Sequence, residues 1–152
     1  RAIMNVLISA CLLGLACRYD GQSKGYSAVE ALLKEADIHL IPFCPEQGGG
    51  LATPRDPAER QGGAVRTKSG RDVTEQYRRG AAMALNLAKT FGCTVAVLKE
   101  KSPSCGNGRI YDGTFTRTLT AGDGVTAELL KNYGITVVGE SQIEKFLSQA
   151  LT

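Results

Sequence analysis

Four short and almost wholly apolar runs, separated by amphipathic segments, constrain this chain more than any other feature. They are "NVLISA" (5–10), "HLIPFC" (39–44), "TVAVLK" (94–99) and "ITVVG" (135–139). A strand with one face in water alternates apolar and polar residues; these do not, so both faces are expected to be covered, as in a parallel sheet. The segments between them have helical period. "SAVEALLKEAD" (27–37) places Val29, Leu32, Leu33 and Ala36 on one stripe behind a Ser27/Glu30 capping box. A long helix is expected from about Val73 to Phe91, capped by Asp72 and Glu75, with Ala81, Ala84, Leu85 and Ala88 as its stripe. "GVTAELLKNYG" (124–134), closed by Gly134, and "SQIEKFLSQAL" (141–151), opened by Ser141/Glu144, complete the set. Strands that alternate with helices predict an α/β fold, a mostly parallel sheet with helices on both faces. Pro42 marks the second run as an edge or irregular strand.

Two stretches resist this pattern. Residues 45–72 read as a long Gly/Pro-rich polar loop, of the kind that is functional or mobile. Residues 108–115 read as a hairpin or an irregular loop. Residues 1–3, ahead of Met4, read as a leading remnant, and 4–152 as one domain with neither repeat nor linker. No apolar run approaches the roughly 20 residues of a membrane span, and no secretory leader is visible. A cytoplasmic protein is therefore expected. The net charge of +3 is too mild to argue for a large nucleic acid as partner, though it suits a small anionic ligand. The five cysteines are odd in number and irregular in spacing, which disfavours a disulfide framework. The single histidine, His39, is expected at the start of the second strand, so chemistry here runs without a histidine base.

The cysteines carry the functional signal. In open parallel sheets ligands bind beyond the carboxyl ends of the strands. Cys11 closes the first run, Cys44 closes the second, and Cys105 follows the third in "KEKSPSCGNG" (99–108), among Ser102, Pro103, Gly106 and Gly108. Fold logic thus brings three thiols to one edge. Cys93, at the opposite end of the third run, reads as a small buried hydrophobe. Cys17 lies in the loop after the first run and is either a fourth thiol or a supporting group. Converging thiolates suit zinc or an iron–sulfur cluster; the paired short spacings of a closed structural zinc site are missing, and three ligands leave a metal position open. Glycines beside the thiols (Gly14, Gly48, Gly49, Gly106) would let backbone N–H groups approach cluster sulfides, and Gly48-Gly49-Gly50 is similar to an anion nest.

Five motifs in order, "CLLGLACRYDG", "CPEQGGGLATPRDPAE", "RDVTEQYRRGA", "LKEKSPSCG" and "IYDGTF", resemble those of the bacterial thiouracil desulfurase family, over nearly the whole chain from Met4. The resemblance implies a single-domain, Rossmann-like enzyme. It implies a [4Fe–4S] cluster held by three cysteines, with one iron left open. It implies desulfuration of a thiolated nucleobase to the oxo-base, without net redox change and with release of hydrosulfide. Carried onto this chain, the ligands are Cys11, Cys44 and Cys105, although Cys17 also matches a cysteine of the family. The acidic residue is Glu46 and the motif serine is Ser102. Glu46, two residues from Cys44, is then the candidate base for the attacking water, with Ser102 as a hydrogen-bonding partner. Arg18 and Arg55, which lie within the motifs, and Gly48 and Gly49 are the candidate substrate-binding residues. The expected partner is a small thiobase or thionucleotide, and the expected state a monomer. Two rivals remain open. One is an iron–sulfur or zinc carrier or sensor without turnover. The other is a thiol transferase with Cys105 as its nucleophile.

Overall fold

The structure is a computed structural model and describes residues 2–15, 17–21 and 26–150. Arg1, of the expected leading remnant, and Leu151, of the last expected helix, lie outside them. The apolar runs form one four-stranded parallel sheet: β1 (Met4–Ser9), β2 (Ile38–Phe43), β5 (Val95–Leu98) and β8 (Thr136–Gly139), in the order β2-β1-β5-β8. Side chains alternate across it. Val6 and Ile8 join α1 (Ser27–Lys34) and α5 (Ile143–Ala150) on one face, through Val29, Leu32, Ile143 and Leu147. Leu7, Ala96 and Leu98 face the other way, onto α3 (Thr74–Thr90) and α4 (Val125–Asn132), through Ala84, Ala88, Ala127 and Leu130. Burial on both faces is why the strands carry no polar alternation. β2 is an edge strand, which accommodates Pro42. None of the helices among the described residues is long and apolar enough to cross a membrane.

Residues 45–72 are not one long loop. They hold a single-turn helix, α2 (Pro45–Gly48), and an antiparallel hairpin of β3 (Ala58–Gln61) and β4 (Ala64–Thr67). Gly62-Gly63 joins the two strands, with Gly62 at φ +63°, a two-residue connection that favours glycine. The signal was present in "ERQGGAVRT" but was hidden by its charges. A second small hairpin pairs β6 (Arg109–Tyr111) with β7 (Leu119–Ala121).

Three helix caps also differ from expectation: the capping position of α3 is Val73 rather than Asp72, whose Oδ1 accepts the Thr74 N–H from one residue further out. Ser27 is the first residue of α1 rather than its cap, and the capping position is Tyr26. Ser141 lies in the 3-10 turn Glu140–Gln142 and donates its N–H and its hydroxyl to the Glu100 carboxylate, so a distant partner displaces the local box. Gly134, at φ +81°, closes α4 as expected.

α2 and α3 touch backbone to backbone. A Cβ on Gly80 would overlap the Pro45 carbonyl, and one on Gly49 would overlap the Gln76 carbonyl. This contact fixes the residues just after β2. Gly80→Ala is therefore expected to cost about 1–3 kcal/mol, the usual penalty of overpacking. The readout is a lower urea midpoint at unchanged m-value; an unchanged midpoint would show that the two helices separate freely.

Candidate metal centre and cavity

The order β2-β1-β5-β8 reverses direction beside β1, where connections leave on opposite sides. Such a switch point opens a crevice at the strand ends. A cavity of about 630 Å³ lies there, and Cys11, Cys17, Cys44 and Cys105 all line it. Cys93 does not; it is buried in the core at the far end of β5.

Cys11, Cys44 and Cys105 each arrive by a short device. β1 ends at Ser9, and the chain tightens into a 3-10 turn, Ala10–Leu13, which carries Cys11. Gly14, at φ +88°, closes that turn by donating to the Cys11 carbonyl. Cys44 is the extended residue ahead of α2, with Pro45 at the first helical position. Past β5, the Ser102 hydroxyl accepts the N–H groups of Ser104 (3.1 Å) and Cys105 (2.7 Å), which folds the "SPSC" turn inward. The Ser9 hydroxyl accepts the Lys99 N–H (3.0 Å) and donates to Cys105 Sγ (3.4 Å), tying the ends of β1 and β5 together.

Cys17, Cys44 and Cys105 hold their protons strongly. The neighbouring Cys11 side chain and burial push Cys17 up to about 11, against the opposing pull of Cys44. The contact with Cys17, together with burial, pushes Cys44 up as well. Burial pushes Cys105 up to about 12, partly offset by the Ser9 hydroxyl. Cys17 thus stands between Cys11 and Cys44, and Cys105 lies against Ser9. Among the described residues no three His, Cys, Asp or Glu side chains are close enough for a single ion. Soft donors ringed around this much space fit a polynuclear iron–sulfur group, whose binding would displace the thiol protons.

Glu46 and Ser102 line the same cavity, and so does Arg18. Arg55 is placed otherwise. Its Nε (3.0 Å) and Nη2 (2.6 Å) donate to Glu46 Oε2, Nη2 also donates to the Cys17 carbonyl (3.0 Å), and Nη1 donates to the Ala52 carbonyl (3.1 Å) and Thr53 Oγ1 (3.0 Å). All five guanidinium donors are committed, which leaves none for a substrate phosphate. Arg55 positions Glu46 and the Cys17 loop instead. Gly48 and Gly49 also stand outside the cavity lining. Gly48 makes room for the Phe43 ring, and Gly49 for α3. The N–H groups of Gly14, Gly48, Gly49, Gly50 and Gly106 already donate to backbone carbonyls, so they form neither a nest nor a set of sulfide donors. His39 is exposed on β2, paired with Asn5 at the start of the sheet.

Sequence reasoning missed several lining residues. Ser9 sits inside an apolar run, where its one polar atom was the only hint. Tyr77 lies on the buried stripe of α3 and reads as core; burial pushes its phenol up, and the Glu46 carboxylate beside it adds to that shift. Phe115, on the β6–β7 connection, gave no signal beyond being the last residue of its motif, and Arg117, past the motif, gave none.

Comparison with known proteins agrees with this geometry. The family model described as 2-thiouracil desulfurase matches residues 6–142. The chain is 42% identical to the protein YbbK of Bacillus subtilis (strain 168) over 152 residues, which covers 93% of this chain and 99% of that protein. It also superposes on a solved structure described as the [4Fe-4S]-dependent thiouracil desulfidase TudS. There the TM-score is 0.89 and the identity 49%, over 98% of this chain and 99% of that one.

The site's electrostatics predict two outcomes. Arg55→Ala removes one partner of an ion pair whose side chains are only 9% and 15% exposed. It is expected to lower stability by about 3 kcal/mol in urea. Arg18→Ala, which breaks a 3.8 Å pair with the more exposed Asp20, should cost less than about 1 kcal/mol. Secondly, the folded thiols keep their protons to higher pH than unfolded ones, whose ordinary value is 9.0. Their contribution in metal-free protein is full below about pH 9 and is lost as pH rises through about 11 to 12. The urea midpoint should fall across that window, and fall less steeply in Cys17→Ser.

Proposed function

The chain belongs to the 2-thiouracil desulfurase family, and on that premise we propose that it is a [4Fe–4S]-dependent enzyme acting on a thiolated nucleobase. The substrate is 2-thiouracil or a related thiouracil or thio-UMP, and the products are the oxo-base and hydrosulfide. The observation that supports this most is the meeting of Cys11, Cys44 and Cys105, from the ends of three different strands, with the Glu46 carboxylate in one cavity.

In this reading Cys11, Cys44 and Cys105 would hold the cluster, which would supply a soft Lewis acid with one open iron position for the thiocarbonyl sulfur. Glu46 accepts a proton from the water that adds to the ring carbon. Arg55 keeps Oε2 fixed by two hydrogen bonds, and Oε1 takes no part in that pair. Ser102 already accepts two N–H groups, so its own O–H remains to donate into the cavity. The balance is hydrolytic: C=S and water give C=O and hydrogen sulfide, with no electron transferred. Cys17 supports the ligands, through its contacts with Cys11 and Cys44. The protein acts as a cytoplasmic monomer on a small molecule. A nucleophilic role for Cys105 fits less well, because a buried thiol pushed up to about 12 is a poor source of thiolate.

The test uses anaerobically reconstituted protein and sulfide release from 2-thiouracil. Glu46→Gln should keep its full iron and sulfide content and lose about 10²–10⁴ in turnover. Cys11→Ser, Cys44→Ser and Cys105→Ser should each lose the cluster, whereas Cys17→Ser should retain most of it. A Cys11→Ser protein with full cluster content would transfer that ligand's role to Cys17.

A further inference from the structure

Three described residues other than glycine have positive φ: Lys101 (69°), Phe115 (59°) and Arg117 (59°), and all three line the cavity. For a bulky aromatic residue this conformation is a marked outlier. It persists only where the surroundings over-determine it, and such positions gather at functional sites. The connection between β6 and β7 is held in this way. The buried Glu59 of β3 accepts, on Oε1, the N–H groups of Gly113 (2.9 Å) and Phe115 (3.2 Å). Gln61 Nε2 donates to the Gly113 carbonyl (2.8 Å). Asp112 Oδ1 accepts from the Thr114 N–H and hydroxyl, and the hydroxyls of Thr114, Thr116 and Thr118 form a continuous row.

We propose that this hairpin tip is a preformed clamp for the nucleobase, in which the Phe115 ring stacks on the base and Glu59 is the positioning residue that holds it there. The proposal rests on the thiobase reading and extends it by naming what recognises the flat ring. A ring fixed before the ligand arrives loses little freedom on binding. Five of the nine aromatic residues of the chain line this cavity, so a planar heteroaromatic ligand meets matching surface there. Stacking of one base on one aromatic side chain corresponds to about 5- to 150-fold in affinity.

The chain has no tryptophan, so Phe115→Trp installs a sole tryptophan at the clamp, which can be excited selectively over the tyrosines. Its emission should be quenched saturably by 2-thiouracil, in metal-free protein as well as in cluster-loaded protein. In the loaded enzyme, Phe115→Ala should raise KM at least fivefold, with a much smaller change in kcat and full iron content. Phe115→Leu, which keeps bulk without the π face, should do the same, and covers the case in which the alanine variant folds poorly. Phe115→Trp should recover the KM lost in alanine. Glu59→Ala should raise KM alike, and the double variant with Phe115→Ala should be no worse than Phe115→Ala alone, since both changes remove one interaction. An unchanged KM in Phe115→Ala and Phe115→Leu, or a Phe115→Trp emission indifferent to 2-thiouracil, overturns the clamp. If the loaded wild-type protein releases no sulfide, the desulfurase reading fails, and the fluorescence titration alone then decides the clamp.

Discussion

The site depends on β1 having a parallel neighbour on each side. Because β2 and β5 both run with β1, all three strands end at the same edge, and the turns after them must share one space. Antiparallel pairing of either neighbour would send one thiol to the opposite edge, where Cys93 lies. The side chains within the sheet serve the same end. Val6 and Ile8 on one face, and Leu7 on the other, anchor β1 to helices on both faces. The edge that carries Cys11 therefore rests on two separate cores.

The segments beyond the strand ends are held by close contacts rather than by length. The glycines at 49 and 80 let α2 lie against α3 without side chains between them. That contact holds Cys44, the cap of α2, and Glu46, in its single turn, against rigid backbone. Arg55 then joins the Cys17 carbonyl, the Glu46 carboxylate, the Ala52 carbonyl and the Thr53 hydroxyl through a single planar group. A lysine could not reproduce this, because it lacks the forked donors. On the other side of the crevice Ser9 performs a comparable join between β1 and the Cys105 turn.

The sheet was legible in the sequence because full burial leaves an unmistakable apolar run, and Pro42 correctly marked an edge. The convergence of Cys11, Cys44 and Cys105 followed from strand direction alone. Other features depend on partners distant in the chain. Glu59, Arg60 and Gln61 look like loop residues, yet Glu59 turns inward because the N–H groups of Gly113 and Phe115 await it. Ser141 has the spacing of a cap, and Glu100 claims it. Arg55 announces a cation in the right motif, but only the fold shows that its charge and all its donors are already answered within the protein. The glycine cluster at 48–50 looks the same whether it serves an anion or a neighbouring helix, and the α3 backbone decides between them.

The cavity has two kinds of wall. The thiols and Glu46 rest on the parallel sheet and α3, whereas Phe115 and Arg117 rest on two small hairpins that the large sheet does not hydrogen-bond. Glu59 and Gln61 join the two hairpins to one another, while Val65 of β4, packed with Val73 and Tyr77, and Arg60, paired with Glu128 of α4, tie them to the helical layer. Exposed side chains of the hairpin tip such as Arg117 carry none of these ties and can change while the reactive edge stays as it is. A chain built this way can change what it accepts more readily than what it does.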